Sequence, residues 1–250
     1  MPADQTIAEN LARVEEEIHE ACRRSGRSHD EIRLMAVSKM QPATAIAEAF
    51  AAGVRLFGEN RVQEFQQKLP DLNQLGIAVS GLAKTSGELV SVHLIGNLQS
   101  NKTTRATEIF SGVDTVDSLK LAQRLDEAAK KLDRRLPVLV EIKLSSEAAK
   151  AGLDPESQEL AELLERLADL VHVEMCGLMT VAPFDENPET ARACFRRLQL
   201  LREELAVRYP RLDFGELSMG MSGDFRIAIE EGSTLVRIGT AIFGARPKPA

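Results

Sequence analysis

Between Ile32 and Ile238 the chain alternates apolar, often β-branched runs with longer segments of helical periodicity, eight times over. The runs are Ile32–Val37, Val54–Phe57, Ser91–Ile95, Val113–Val116, Pro137–Leu144, Val171–Leu178, Leu212–Leu217 and Leu235–Ile238. Short runs of this composition read as strands. Between them, Leu119, Ala122, Leu125, Ala129 and Leu132 mark one helical face, and Leu160, Leu163, Leu164 and Leu167 mark another. Strand–helix alternation implies a parallel sheet covered by helices. Eight such units close a (β/α)8 TIM barrel, so the fold class expected is α/β, one barrel domain over residues 1–250. A doubly wound open sheet is the alternative, but no glycine-rich dinucleotide turn follows the first strand. Hydrophobic residues make up 44% of the chain, enough for the large core such a barrel requires.

Two segments stand outside the alternation. Ile7 to Cys22 reads as an added amino-terminal helix, with Leu11, Val14 and Ile18 on one face. Asp71 to Leu89 reads as a surface loop with one helical turn, because glycines and serines interrupt it.

The net charge of -7, with no lysine- or arginine-rich block, argues against a nucleic-acid partner. No run approaches the roughly 18 apolar residues of a spanning helix, so no membrane partner is expected. Met1 to Asn10 is polar and carries no signal-peptide pattern. Cys22, Cys176 and Cys194 are odd in number and scattered, which fits neither a disulfide framework nor a metal site and points to the cytoplasm. The four histidines show no metal-ligand spacing either.

Reactive groups of a barrel of this kind sit where strands end and loops begin, on the carboxyl-terminal face. Lys39 falls there, after the first strand, where partial desolvation would favour a neutral, nucleophilic amine. From position alone the reading as a surface lysine capping the strand prevails. Leu217 to Ser222 follows the seventh strand, and Gly239-Thr240 follows the eighth. Those two turns are the usual phosphate cradle of the fold, with Ser218 and Thr240 as hydroxyl donors and Gly239 admitting close approach. Arg237 lies inside an otherwise apolar strand and needs an acceptor, either a neighbouring carboxylate or a bound ring nitrogen. Asn60 reads as the cap of the helix after the second strand, with Gln63 completing a capping box, on the same face as Lys39. His93 reads as a hydrogen-bonded core residue.

Several of these pieces together resemble the pyridoxal phosphate homeostasis proteins, the YggS-like family. They are Ala36-Val37-Ser38-Lys39, Phe57-Gly58-Glu59-Asn60, Val62-Gln63-Glu64, His93-Leu94-Ile95-Gly96, Leu98 to Lys102, Gly177 to Thr180, Leu217 to Ser222 and Gly232 to Gly244. The resemblance covers nearly the whole chain in order. It implies a fold-type III barrel similar to the amino-terminal domain of alanine racemase, with pyridoxal 5′-phosphate (PLP) held as a Schiff base on Lys39. By the same resemblance Ser218, Gly239 and Thr240 hold the phosphate, Arg237 faces the ring nitrogen, and Asn60 contacts the cofactor. The implied role is storage, buffering or delivery of PLP, with apo-PLP enzymes as recipients and a monomeric carrier. Two departures stand out: Lys143 replaces the usual asparagine of the fifth strand, and Val92 stands where tryptophan is common.

A PLP-dependent racemase is the competing reading. It calls for a lysine and a tyrosine as opposed bases, and the single tyrosine, Tyr209, lies in the connection leading into the seventh strand. A cation at the ring nitrogen also weakens the ring as an electron sink. No substantial turnover is therefore expected. A Schiff-base aldolase ranks lower, with Glu141 and Lys143 as its only support.

Overall fold

The structure, a computed structural model, describes residues 6–81, 88–144 and 151–244. Its elements run α1 (Ile7–Ser25), β1 (Arg33–Val37), α2 (Ala43–Ala51), β2 (Leu56–Glu59), α3 (Val62–Gln74), β3 (Ile77–Val79), β4 (Glu88–Leu94), α4 (Thr103–Ile109) and β5 (Gly112–Val116). They continue with α5 (Leu119–Lys131), β6 (Leu136–Glu141), α6 (Gln158–Leu167), β7 (Val173–Met179), α7 (Pro188–Arg208), β8 (Glu216–Ser218), α8 (Phe225–Glu230), β9 (Leu235–Ile238) and α9 (Thr240–Phe243). All strand pairings are parallel. β1 pairs with both β9 and β2, and β2 pairs with β4, which closes β1, β2 and β4–β9 into an eight-stranded barrel.

The helices form where a cap and an apolar stripe coincide. Ser118 accepts from the Leu121 amide at the start of α5, and Ser157 accepts from the Leu160 amide at the start of α6. Behind the second cap, Leu160, Leu163, Leu164 and Leu167 are all buried against the sheet. Burying one such leucine contributes roughly 1.5–3 kcal/mol. β5 is buried along its whole length, as a strand covered on both faces should be.

The amino-terminal helix exists and runs three residues past the expected Cys22. A reciprocal Thr6–Glu9 capping box starts it, and Gly26 in the left-handed region, φ 68°, ends it. Its Asn10 side-chain Nδ2 donates to the Ile242 carbonyl at 2.9 Å and Arg13 donates to the Ala241 carbonyl at 3.2 Å. The added helix thereby braces α9, which follows the last strand.

Three sequence expectations are corrected. Asp71–Leu89 is not a loop with a single turn: α3 continues through Pro70 to Gln74, and Ile77–Val79 forms a buried strand beside Glu88–Val90. Ser80 donates to the Val90 carbonyl and Ser111 to the Val92 carbonyl, so β3 and β5 share one edge of β4 in succession. Residues 82–87 of that stretch lie outside the described residues. Next, β8 is confined to Glu216–Ser218 and does not begin at Leu212, because Asp213 accepts from the Gly215 amide at 2.7 Å and turns the chain first. Finally, β6 stops at Glu141. Ile142 makes only an isolated bridge to Leu153, and Ser145 lies outside the described residues.

Candidate functional site

The carboxyl ends of β7, β8 and β9 meet at Arg237. Its guanidinium, almost fully buried, donates to the Ser218 hydroxyl at 2.6 Å and to the Thr180 carbonyl at 2.8 Å. The carboxylate partner considered from sequence is not there: Arg237 makes no ion pair among the described residues, and both acceptors are neutral. Burial pulls the guanidinium below its ordinary pKa, while Asp114, Asp224 and Glu141 act on it at longer range and oppose that shift. Arginine nonetheless stays charged at any ordinary pH. Among the described residues, then, this interior cation has no directly bonded anion.

The turn after β8 is held by its own backbone. Gly220 adopts φ 95° and its carbonyl accepts from the Arg237 amide at 2.9 Å. A Cβ there would fall 2.6 Å from Ala228 and 2.9 Å from the Phe225 backbone, so glycine is required. Beyond it, the Ser222 hydroxyl accepts from the amides of Gly239 and Ala241, each at 3.3 Å. Two backbone N–H groups thus converge on one oxygen at the mouth of the barrel. Gly239 differs from Gly220: its φ is not positive, and a Cβ there would meet Val37 only at an ordinary 3.5 Å. No close contact among the described residues demands glycine at 239. Thr240 opens α9 and is exposed, with Gly239 at the cap position.

Lys39 is half-buried in the turn after β1, ahead of Pro42, which caps α2. Asn60 follows β2 directly on the same face and is half-buried. The expected capping role is corrected: α3 begins at Val62, Arg61 takes the cap position, and no side chain caps the helix. Asn60 lies one residue too early to reach the amides of the first turn, and among the described residues its side chain makes no hydrogen bond. Lys143, beyond the end of β6, is half-buried.

His93 is where its core reading put it. Nδ1 lies 2.8 Å from Asp114 Oδ1, and a Cβ on Gly112 would press on the ring at 2.8 Å. Burial lowers the imidazole pKa, but Asp114 more than offsets this and leaves it raised. His93, Asp114 and Cys176 line a cavity of about 400 Å³, together with Arg33 and Glu216 from the starts of β1 and β8. This cavity opens at the amino end of the barrel, away from Lys39.

Sequence reasoning missed Thr180 and Ser222 as contributors. Ser222 was legible as part of the loop after β8, but only the fold shows its hydroxyl meeting the amides of the following strand's turn.

The family description "Alanine racemase, N-terminal domain" matches residues 9–247. A pyridoxal phosphate homeostasis protein of Escherichia coli strain K12 is 44% identical over 241 residues, spanning 96% of this chain and 97% of the relative. The chain belongs to the pyridoxal phosphate homeostasis family. A second member, from Aquifex aeolicus, is 40% identical over 238 residues, covering 95% of this chain and 97% of the relative. The solved structure of PipY from Synechococcus elongatus with PLP bound superposes with a TM-score of 0.80 at 39% identity, covering 96% of this chain and all of that one. Alanine racemase of Clostridium difficile, at 17% identity and a TM-score of 0.69, shares the barrel over 57% of its own length. At that identity the likeness is one of fold.

Proposed function

We propose that this protein binds PLP at the carboxyl face of its barrel and holds it for delivery, without substantial turnover of its own. The observation that carries the reading is Arg237, a buried guanidinium that among the described residues is bonded only to neutral acceptors, where β7, β8 and β9 end. A charged donor in that setting suits the ring nitrogen of a bound heterocycle. The two amides converging on Ser222, beside a glycine that no packing constraint requires, suit a phosphate. The residues present therefore fit the group. When bound, PLP supplies an aldehyde carbon that bonds to a lysine amine.

Lys39 supplies that amine; Ser218, Gly239 and Thr240, with Ser222, hold the phosphate; Arg237 donates to the ring nitrogen; Asn60 contacts the cofactor from β2. Residues 1–250 act as one barrel domain and as a monomer, in the cytoplasm, with apo-PLP enzymes as recipients. The absence of any helix long and apolar enough to cross a membrane, among the described residues, fits this setting.

A racemase needs a second base on the carboxyl face. Tyr209 ends α7, on the way into β8, and so belongs to the opposite end of the barrel. His93 and Cys176 line the cavity at that opposite end as well, and burial, with Glu216, Glu174 and Asp213 adding to it, pushes the Cys176 thiol up to about 12. Glu141 and Lys143 do not restore an aldolase pair, since Lys143 lies beyond the strand that carries Glu141. The test is to incubate PLP-loaded protein with L-amino acids in deuterated water, and separately with an apo-PLP enzyme. Transfer of PLP without appreciable α-proton exchange is the expected result. Efficient exchange abolished by Lys39→Ala would make the protein an enzyme.

A further inference from the structure

The turn that carries Lys39 is gripped on both sides by one ionic cluster. Lys68 of α3 donates to the Ser38 carbonyl at 3.0 Å, to Glu59 Oε1 at 2.8 Å and to Glu64 Oε1 at 2.8 Å. The Ser38 hydroxyl donates to the same Glu59 oxygen at 2.8 Å, and the Met40 amide donates to Glu64 Oε1 at 2.5 Å. Both neighbours of Lys39 are thus fixed, Ser38 through its carbonyl and hydroxyl, Met40 through its amide. An ammonium has three donors, and all three of Lys68 are engaged.

The cluster is costly to build. Glu59 is completely buried and the Lys68 side chain is 11% exposed. Burial raises the Glu59 pKa, opposed by Lys68 and, less, by the Ser38 hydroxyl, so the carboxylate relies on this cluster. Met40 has φ 63°, a left-handed conformation that a residue with a side chain avoids unless something holds it there. Met40 is itself exposed, so packing does not hold it. The Gln41 amide closes the turn on the Ser38 carbonyl at 3.0 Å, and within that turn the Met40 amide is held by Glu64, which Lys68 in turn fixes.

We infer that Glu59, Glu64 and Lys68 are positioning residues for Lys39: they lock the turn after β1 so that its amine is presented in one geometry. The inference rests on Lys39 being the PLP-binding lysine. It also explains why Lys68, an amine close by in the same cluster, is not the reactive one.

The experiment follows incorporation of PLP into the full-length protein, trapped with borohydride at timed intervals and located by peptide mass. Glu64→Leu should slow labelling of Lys39 by about tenfold, the scale of releasing one strained backbone conformation. Glu64→Gln, which keeps an acceptor for the Met40 amide, should recover most of that loss. In a Met40→Gly background the same Glu64→Leu change should cost much less, because glycine adopts the left-handed conformation unaided. A merely structural role for Glu64 would give equal losses in both backgrounds and overturn the inference. Hydrogen exchange on the unaltered protein needs no variant: the Met40 amide should be protected despite its exposed position, and rapid exchange there would overturn the inference as well. Labelling of unaltered protein at a lysine other than Lys39 is a separate outcome. It would remove the Lys39 reading itself, and the positioning role with it.

Discussion

Arg237 on β9 reaches across to β8 and donates to the Ser218 hydroxyl at 2.6 Å, so two residues near the carboxyl ends of adjacent strands form one polar unit inside the barrel. Removing that hydroxyl leaves a buried charged donor short of an acceptor. Ser218→Ala should therefore destabilise the protein by about 1–3 kcal/mol in urea unfolding. Because the hydroxyl supports Arg237 and is also assigned to the phosphate, the variant should weaken unphosphorylated pyridoxal as well as PLP, and PLP the more. A loss confined to PLP would assign Ser218 to the phosphate alone.

Gly239 should behave in the opposite way. With φ outside the left-handed region and no close neighbour to a Cβ, it tolerates a side chain as far as the fold is concerned. Gly239→Val should leave the urea midpoint within the range of an ordinary surface change, about 0.5 kcal/mol. Its branches would crowd the amides that converge on Ser222, so affinity for PLP should fall at least about tenfold, an estimate from losing one charge-assisted hydrogen bond to phosphate. Affinity for pyridoxal should hardly change. Equal losses for both ligands would mean that Gly239 does not serve a phosphate.

These contrasts bear on what was readable beforehand. The barrel was legible because each strand is a short β-branched run and each helix a stripe such as Leu160, Leu163, Leu164 and Leu167, both set by local periodicity. The short strand Ile77–Val79 was not, because three apolar residues between a turn and a glycine carry no period; they become a strand only by lying on the edge of β4. Lys39 and Arg237 stood out by residue type at strand ends. Asn60 was misread as a cap because caps are recognised from residue type a turn ahead of a helix, and the helix starts one residue later than the pattern suggests. The Ser38–Glu59–Lys68–Glu64 cluster was invisible for a different reason. Its members are ordinary polar residues 30 or fewer positions apart, and only the β1–β2 pairing and the return of α3 bring them together.

Glu141, at the end of β6, gives the molecule a titration near neutrality. Burial raises its carboxyl from the ordinary 4.5 to about 7, with Asp117 adding to the rise and Arg237 opposing it. Between those two values the folded protein keeps a proton that the unfolded chain has lost. Stability from this group is therefore complete below about 4.5 and is lost as pH rises through about 7, a swing of roughly 3 kcal/mol at most. Glu141→Gln should flatten the stability profile over that window and make the protein more stable than the unaltered one at pH 8, measured by urea unfolding across pH. An unchanged slope would mean that Glu141 titrates as an ordinary surface carboxyl.

The central claim is that Lys39 carries PLP, and borohydride reduction of PLP-loaded protein followed by peptide mapping tests it most directly. The account predicts a pyridoxyl group on the peptide containing Lys39, with loss of long-wavelength absorption in Lys39→Ala. A pyridoxyl group recovered only on Lys68, Lys102 or Lys143, with the absorption intact in Lys39→Ala, would contradict it.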